Sequence, residues 1–241
     1  MNKLKNKAAF ITGGSKGIGF GIAQALINEG IDVAITSRSL KTAQDAAEKL
    51  STNQAKAIGL KADVRNLIDQ QEAVKKAVAE FGQLDYVIAN AGLGHFGSIE
   101  ELTDKQWRET IDTNLSGVFY TIKSSLSELK KSEGYFITIS SLAGTNFFAG
   151  GSAYNASKFG LTGFTQSVML DLRNDGISVS TIMPGSVSTH FNGNNPEEKK
   201  EDEAWKIQIE DIGELVVDLF KMNKRTLPSK IEIRPSQPSK K

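Results

Sequence analysis

Thr12-Gly13-Gly14-Ser15-Lys16-Gly17-Ile18-Gly19 follows a short apolar run, Ala8 to Ile11, and opens a periodic apolar segment, Ile18 to Leu26. That order predicts a strand, a tight glycine turn and a helix. Glycines let a backbone take positive φ and approach a ligand closely, and a helix starting beyond them aims unpaired N–H groups and a positive dipole end at whatever lies there. A phosphate is the natural occupant. The spacing is neither that of the common dinucleotide fingerprint G-x-G-x-x-G nor that of the triphosphate loop, since Lys16 precedes a glycine and no Lys-Ser/Thr pair closes the turn. At this point a glycine-rich turn without a ligand stays open.

Outward from this loop, β-branched runs alternate with helical stretches. The predicted strands are 8–11, 32–36, 56–62, 84–90, 135–139, 177–182 and 230–234. The predicted helices are 18–26, 40–50, 67–81, about 103–130, about 153–174 and 215–220. Strands buried on both faces and regularly separated by helices imply an α/β fold, a doubly wound parallel sheet of seven strands with helices on both faces. Ligands of such sheets sit beyond the carboxyl ends of the strands, where the strand order reverses. Nothing interrupts the pattern enough to split 1–241 into two domains. Residues 190–206 are the least apolar long stretch, read as a substrate loop that acts as a lid or as a solvated insertion, and 235–241 as a frayed tail.

Composition narrows the function. The chain has 241 residues, 39% hydrophobic and 24% charged, typical of a globular protein. Its 29 basic and 28 acidic residues leave a net charge of +1, so no electrostatic footprint for nucleic acid or an anionic membrane is visible. The expected partners are small molecules or copies of the chain itself. Cysteine is absent, which excludes disulfides and thiolate catalysis, and the two histidines, His95 and His190, are too isolated for a metal cluster. No run approaches the ~18 apolar residues of a membrane span, and the N-terminal apolar run is too short for a signal peptide. The cytoplasm is the default location.

Tyr154 and Lys158 stand at i and i+4 on a predicted helix, so both side chains share one face. A tyrosine of ordinary pKa, about 10, is a poor acid-base group near neutrality, and a fixed ammonium beside it would favour the phenolate. Such a pair would exchange a proton with a carbonyl or alcohol. Alone, the spacing occurs by chance. Here Ser141 follows the strand 135–139 and Asn90-Ala91-Gly92 ends the strand 84–90, at the sheet edge where a crevice belongs. Together with the glycine loop, Asn114 and Pro184-Gly185-x-Val187-x-Thr189, the chain resembles the single-domain short-chain dehydrogenases/reductases, from about residue 7 to 189 and more weakly to 234.

The resemblance implies a Rossmann-type fold and a residue-by-residue assignment. The loop of Gly13, Ser15, Lys16, Gly17, Ile18 and Gly19 would cradle a pyrophosphate, Asp63 and Val64 would hold the adenine, and Asn90, Ala91 and Gly92 would run along the ribose. Tyr154 would be the general acid in reduction, Ser141 would hydrogen-bond the substrate oxygen, and Lys158 would bind the nicotinamide ribose while lowering the pKa of Tyr154. Asn114 would hold a water linking Lys158 to solvent; the plainer reading is a polar residue on an exposed helix face, although asparagine is a poor mid-helix residue. Pro184, Gly185, Val187 and Thr189 would line the nicotinamide. No metal is required.

After the strand 32–36 comes Ser37-Arg38, where NAD-selective sites place an acid against the ribose 2′-hydroxyl. Arg38, Lys16 and Ser37 instead suit a 2′-phosphate, so NADP(H) is the expected cofactor. The implied function is NADPH-dependent reduction of a ketone to an alcohol. The nearest look is that of 3-oxoacyl-(acyl-carrier-protein) reductases, with a broad-range reductase of small ketones, aldehydes, diketones or pterins as the alternative. The C-terminus departs from the former, with Lys230-Ile-Glu-Ile-Arg-Pro235 where a glycine-rich last strand is usual. A non-catalytic NADP-sensing regulator and a structural interaction protein are the readings of other classes. Both are disfavoured by the presence of Ser141, Tyr154 and Lys158. A homo-oligomer is expected, tetramer or dimer, from apolar residues on more than one face of the helices around 115–126 and 159–172.

Overall fold

The computed structural model describes residues 4–193 and 202–238. β1 (Ala8–Ile11) is buried at every position and pairs in parallel with β2 (Asp32–Ser37) on one side and β4 (Tyr86–Ala89) on the other. β3 (Ala57–Lys61) extends the sheet beyond β2, and β5 (Tyr135–Ile139), β6 (Ser178–Pro184) and β7 (Lys230–Ile233) extend it beyond β4. The order is β3-β2-β1-β4-β5-β6-β7, all parallel. The chain turns back between β1 and β4, so the loops leaving those two strands flank the crevice expected of a Rossmann-type sheet.

Each face of the sheet buries its own apolar layer. On one, α1 (Gly17–Asn28), α2 (Leu40–Leu50) and α7 (Ile209–Lys221) contribute Ile22, Leu26, Leu50, Ile212 and Val216 against Ile11, Val33 and Ile88. On the other, α3 (Leu67–Phe81), α5 (Gly117–Ser132) and α6 (Ser152–Leu172) contribute Val74, Ile122 and Leu161 against Phe10, Val87 and Phe136. Successive residues of one strand, such as Phe10 and Ile11, therefore serve opposite layers, as the period of two requires.

The helix expected over about 103–130 is present but not uniform: α4 (Asp104–Ile111) runs without a break into α5 through a π turn at Asp112–Ser116, which carries Asn114 at its centre. Periodicity does not register such a bulge, because one wider turn barely disturbs the apolar stripe. α4 starts where the sequence indicates, at Thr103, whose capping box with Gln106 satisfies the first N–H groups. α7 begins six residues earlier than expected, at Ile209: Gln208 and Asp211 form a capping box, and these polar residues hid the first turn. Of the expected substrate loop 190–206, residues 194–201 lie outside the described residues, as do 239–241 of the tail. The end of the loop is anchored, since Val187 and Ile207 form a parallel bridge and the buried Glu203 accepts from Ser188 Oγ at 2.7 Å.

Candidate active site

The glycine loop and the end of β4 are built as one piece. Thr12 Oγ1 accepts the N–H groups of Asn90 and Ala91 at 3.0 and 3.1 Å, and Asn90 Nδ2 donates to the carbonyls of Thr12 and Gly13 at 2.9 and 3.1 Å. Gly13 and Gly17 have φ of +65° and +58°, which a side chain would strain. A Cβ on Gly13 would also lie 2.9 Å from Ala91 Cα, so these two backbones touch. Lys16, the residue before α1, forms no side-chain cap, which leaves the first helical N–H groups directed at the cleft. Positive-φ glycines, an uncapped helix end and a cation at one spot fit a phosphate group.

The cleft they open onto holds roughly 680 Å³ and brings together most of the residues singled out from the sequence. Gly13, Ser15, Lys16, Gly17 and Ile18 line it at one loop, Ser37 and Arg38 at the next, Asp63 and Val64 after β3, and Asn90, Ala91 and Gly92 after β4. Ser141, Tyr154, Lys158, Pro184, Gly185, Val187 and Thr189 complete the far end. Gly19 and Asn114 do not line the cleft and support it from behind. A Cβ on Gly19 would come 2.5 Å from Asn90 Nδ2 and so displace the amide that ties the two loops.

Several contacts differ from the expected ones. The Asn90 amide nitrogen is spent on the glycine loop and its backbone N–H on Thr12, which leaves its carbonyl oxygens to accept from a ribose. The Asp63 carboxylate is gripped by Arg65, with Nη2 to Oδ2 at 2.6 Å, and this ion pair holds it below the usual carboxylate range, with Arg38 adding to the effect. Asn114 is fully buried, which excludes an exposed helix face. Its Oδ1 accepts from Leu93 N–H at 2.9 Å, and its Nδ2 donates to Leu93 O at 2.8 Å and to Ser157 Oγ at 3.0 Å. Both amide hydrogens thus have protein partners.

Tyr154 and Lys158 share one face of α6, as their spacing requires. Lys158 Nζ lies 5.7 Å from the centroid of the Tyr154 ring and donates to Ile139 O at 2.9 Å, at the end of β5. Burial pushes the Lys158 ammonium down to about 8. The expected depression of the phenol by Lys158 is reversed: burial pushes Tyr154 above its ordinary value, and the neighbouring Ser141 hydroxyl opposes this. Ser141 Oγ accepts from Ala143 N–H at 3.1 Å. An ammonium and two hydroxyl groups in a partly desolvated site suit an oxygen that gains negative charge as it reacts.

Asn155 was not singled out from the sequence, yet it holds the turn that carries Ser141. Its Nδ2 donates to Ala143 O at 2.8 Å and Asn146 O at 2.7 Å. The same signal noted at Asn114, an asparagine inside a helix, marks it. The tie from Thr12 to the end of β4 was not legible because its partners lie far along the chain, and the pairing of Arg65 with Asp63, two residues away, was overlooked. Among the described residues no helix is long and apolar enough to cross a membrane.

The family model for short chain dehydrogenase matches residues 7–200. A cyclohexanol dehydrogenase of an Acinetobacter species is 34% identical over 216 residues, 89% of this chain and 84% of that protein. An uncharacterized oxidoreductase of Staphylococcus saprophyticus is 31% identical over 98% of this chain and its own full length. Among solved structures, the alcohol dehydrogenase of the archaeon Thermococcus sibiricus complexed with 5-hydroxy-NADP superposes with a TM-score of 0.87 at 30% identity, covering 97% of this chain and 99% of that one. A short chain dehydrogenase from Burkholderia cenocepacia in complex with NADP has the same TM-score and identity over 97% and 98%. With the glycine loop, the Ser141, Tyr154 and Lys158 cluster and these likenesses in agreement, the chain belongs to the short-chain dehydrogenase/reductase family of oxidoreductases.

Proposed function

We propose that the protein reduces a ketone or aldehyde to an alcohol with NADPH as the cofactor. The observation that carries this reading is the joining, in one cleft, of Ser141, Tyr154 and Lys158 at one end with Lys16, Ser37 and Arg38 at the other. Two cations and a hydroxyl, with no acid at the Ser37-Arg38 turn, suit a 2′-phosphate. The two solved relatives described as complexes of NADP or its 5-hydroxy derivative support the same choice.

NADPH, when bound, supplies the hydride. The chain's residues position it and manage the proton. Gly13 to Gly19 would hold the pyrophosphate, Arg38 and Lys16 the 2′-phosphate, and Asp63 and Val64 the adenine. Pro184 to Thr189 would face the nicotinamide, and Lys158 its ribose. Ser141 and Tyr154 donate hydrogen bonds to the carbonyl oxygen, and Tyr154 passes its proton there as charge develops. The raised pKa of Tyr154 keeps the phenol protonated and so ready to act as the acid in reduction. The Lys158 ammonium would help restore that proton to Tyr154 from solvent, by way of a water near Asn114.

For the substrate, a 3-oxoacyl thioester and a free ketone are the two readings carried from the sequence. The cyclohexanol dehydrogenase relative favours the second. Near-neutral charge suits a cytoplasmic enzyme without nucleic-acid or membrane partners. A homo-oligomer, tetramer before dimer, is supported by the exposed Phe119 and Phe159 on α5 and α6, beside a groove lined by Leu115 and Phe164. The deciding experiment follows NADPH and NADH oxidation with a carbonyl panel that includes a 3-oxoacyl thioester. Tyr154→Phe should lower turnover by about a thousandfold while NADPH binding stays within a few-fold. Substantial turnover by that variant would show the proton donor to be wrongly assigned.

A further inference from the structure

Two phenylalanines from separate parts of the chain meet Tyr154, and a third joins them through one of the two. Phe96, in the loop after β4, meets the Tyr154 ring edge-on, with centroids 5.4 Å apart and planes at 61°. Phe191, after β6, lies 5.9 Å from the same ring at 54°. Phe148, in the turn between β5 and α6, lies 5.9 Å from Phe96 at 42°. Phe96, Phe191 and Phe148 are 42%, 36% and 49% exposed, so each keeps a large apolar surface open; Phe191 lines the cleft, and Phe96 and Phe148 stand beside it.

Two glycines leave the rings room. A Cβ on Gly94 would come 2.7 Å from Phe96 Cζ and 3.1 Å from Phe191 Cζ, and one on Gly151 would come 2.6 Å from Phe148 Cε2. Polar side chains nearby already have partners. His95, next to Phe96, meets Glu109 at 3.0 Å, and Lys206, which lines the cleft with Phe191, meets Glu203 at 2.6 Å. Exposed aromatic surface gathered at a reacting group favours a flat apolar ligand, because ring pairs add edge-to-face attraction to simple burial.

We propose that the substrate is an aryl ketone, or a ketone with a comparably flat apolar group next to its carbonyl, held against Tyr154 by Phe96, Phe148 and Phe191. The inference rests on the carbonyl-reductase reading and names its substrate class. The test compares acetophenone with 2-octanone, which matches it in carbon number, as substrates of the full-length enzyme with NADPH, alongside a 3-oxoacyl thioester. The kcat/KM for acetophenone should exceed that for 2-octanone by about tenfold. Phe148→Leu and Phe191→Leu, which keep an apolar side chain, should each reduce that ratio about three- to tenfold, with thermal melting and NADPH affinity serving as checks on folding. Turnover of 2-octanone or the thioester equal to or above that of acetophenone overturns the inference and leaves the reductase reading standing. A ratio unchanged in both leucine variants also overturns it. No turnover of any carbonyl compound overturns both.

Discussion

Replacing Lys158 by methionine should make the protein more stable at pH 7 while removing its activity. The lysine is only 5% exposed, and burial brings its pKa from 10.5 to about 8. That displacement corresponds to about 3 kcal/mol of disfavour for the charged form in the folded state. Methionine has similar length and no charge, so the variant escapes this cost. It loses the hydrogen bond from Nζ to Ile139 O, which offsets about 1–2 kcal/mol. A net stabilisation of about 1–2 kcal/mol remains, or about 2–8 °C in melting temperature for a chain of this size.

The pH dependence has a definite sign. Below pH 8 the lysine is protonated in both folded and unfolded chains, and the wild type bears the full burial cost. Between pH 8 and 10.5 the folded chain has released the proton that the unfolded chain retains, so wild-type stability rises with pH across that window. The advantage of the methionine variant should therefore be greatest at pH 7 and shrink toward pH 10. Urea unfolding of the two proteins without added cofactor, at pH 7 and at pH 10, measures it. A variant less stable than wild type at pH 7, or a difference that does not change with pH, would refute the reasoning.

Arg38→Asp should invert or erase a preference for NADPH over NADH in kcat/KM, because it sets an anion where the 2′-phosphate would lie; equal use of both cofactors by the unaltered enzyme would show the assignment of Lys16 and Arg38 to be wrong. Asn155→Ala should lower stability by about 2 kcal/mol, since two carbonyls lose their donor, and should lower kcat more than it alters NADPH affinity. An unchanged melting temperature would show that water replaces the amide. Phe119→Glu on the α5 face should dissociate the assembly, so sedimentation of the wild type as a monomer at micromolar concentration would count against the oligomer.

Much of this protein follows from local features of its sequence. Runs such as Ala8 to Ile11 and Tyr135 to Ile139 are apolar at consecutive positions, which only a strand covered on both faces tolerates, and their alternation with helices implies the parallel sheet and its ligand edge. The glycine loop and the i, i+4 placement of Tyr154 and Lys158 are equally local, because turn and helix geometry set them. What the sequence does not contain is which distant groups meet. Asn90 turned toward the glycine loop, Asn114 buried in a π turn against Leu93, and Asn155 holding Ala143 were decided by tertiary contacts. So was the direction of the Tyr154 shift. Spacing places Lys158 beside the phenol and suggests a depressed pKa, but the depth at which α6 packs makes desolvation the leading effect, opposed by the Ser141 hydroxyl. The aromatic cluster has the same origin: Phe96, Phe148 and Phe191 each read alone as ordinary apolar surface, and only the packing of three separate loops sets Phe96 and Phe191 against Tyr154 and Phe148 against Phe96.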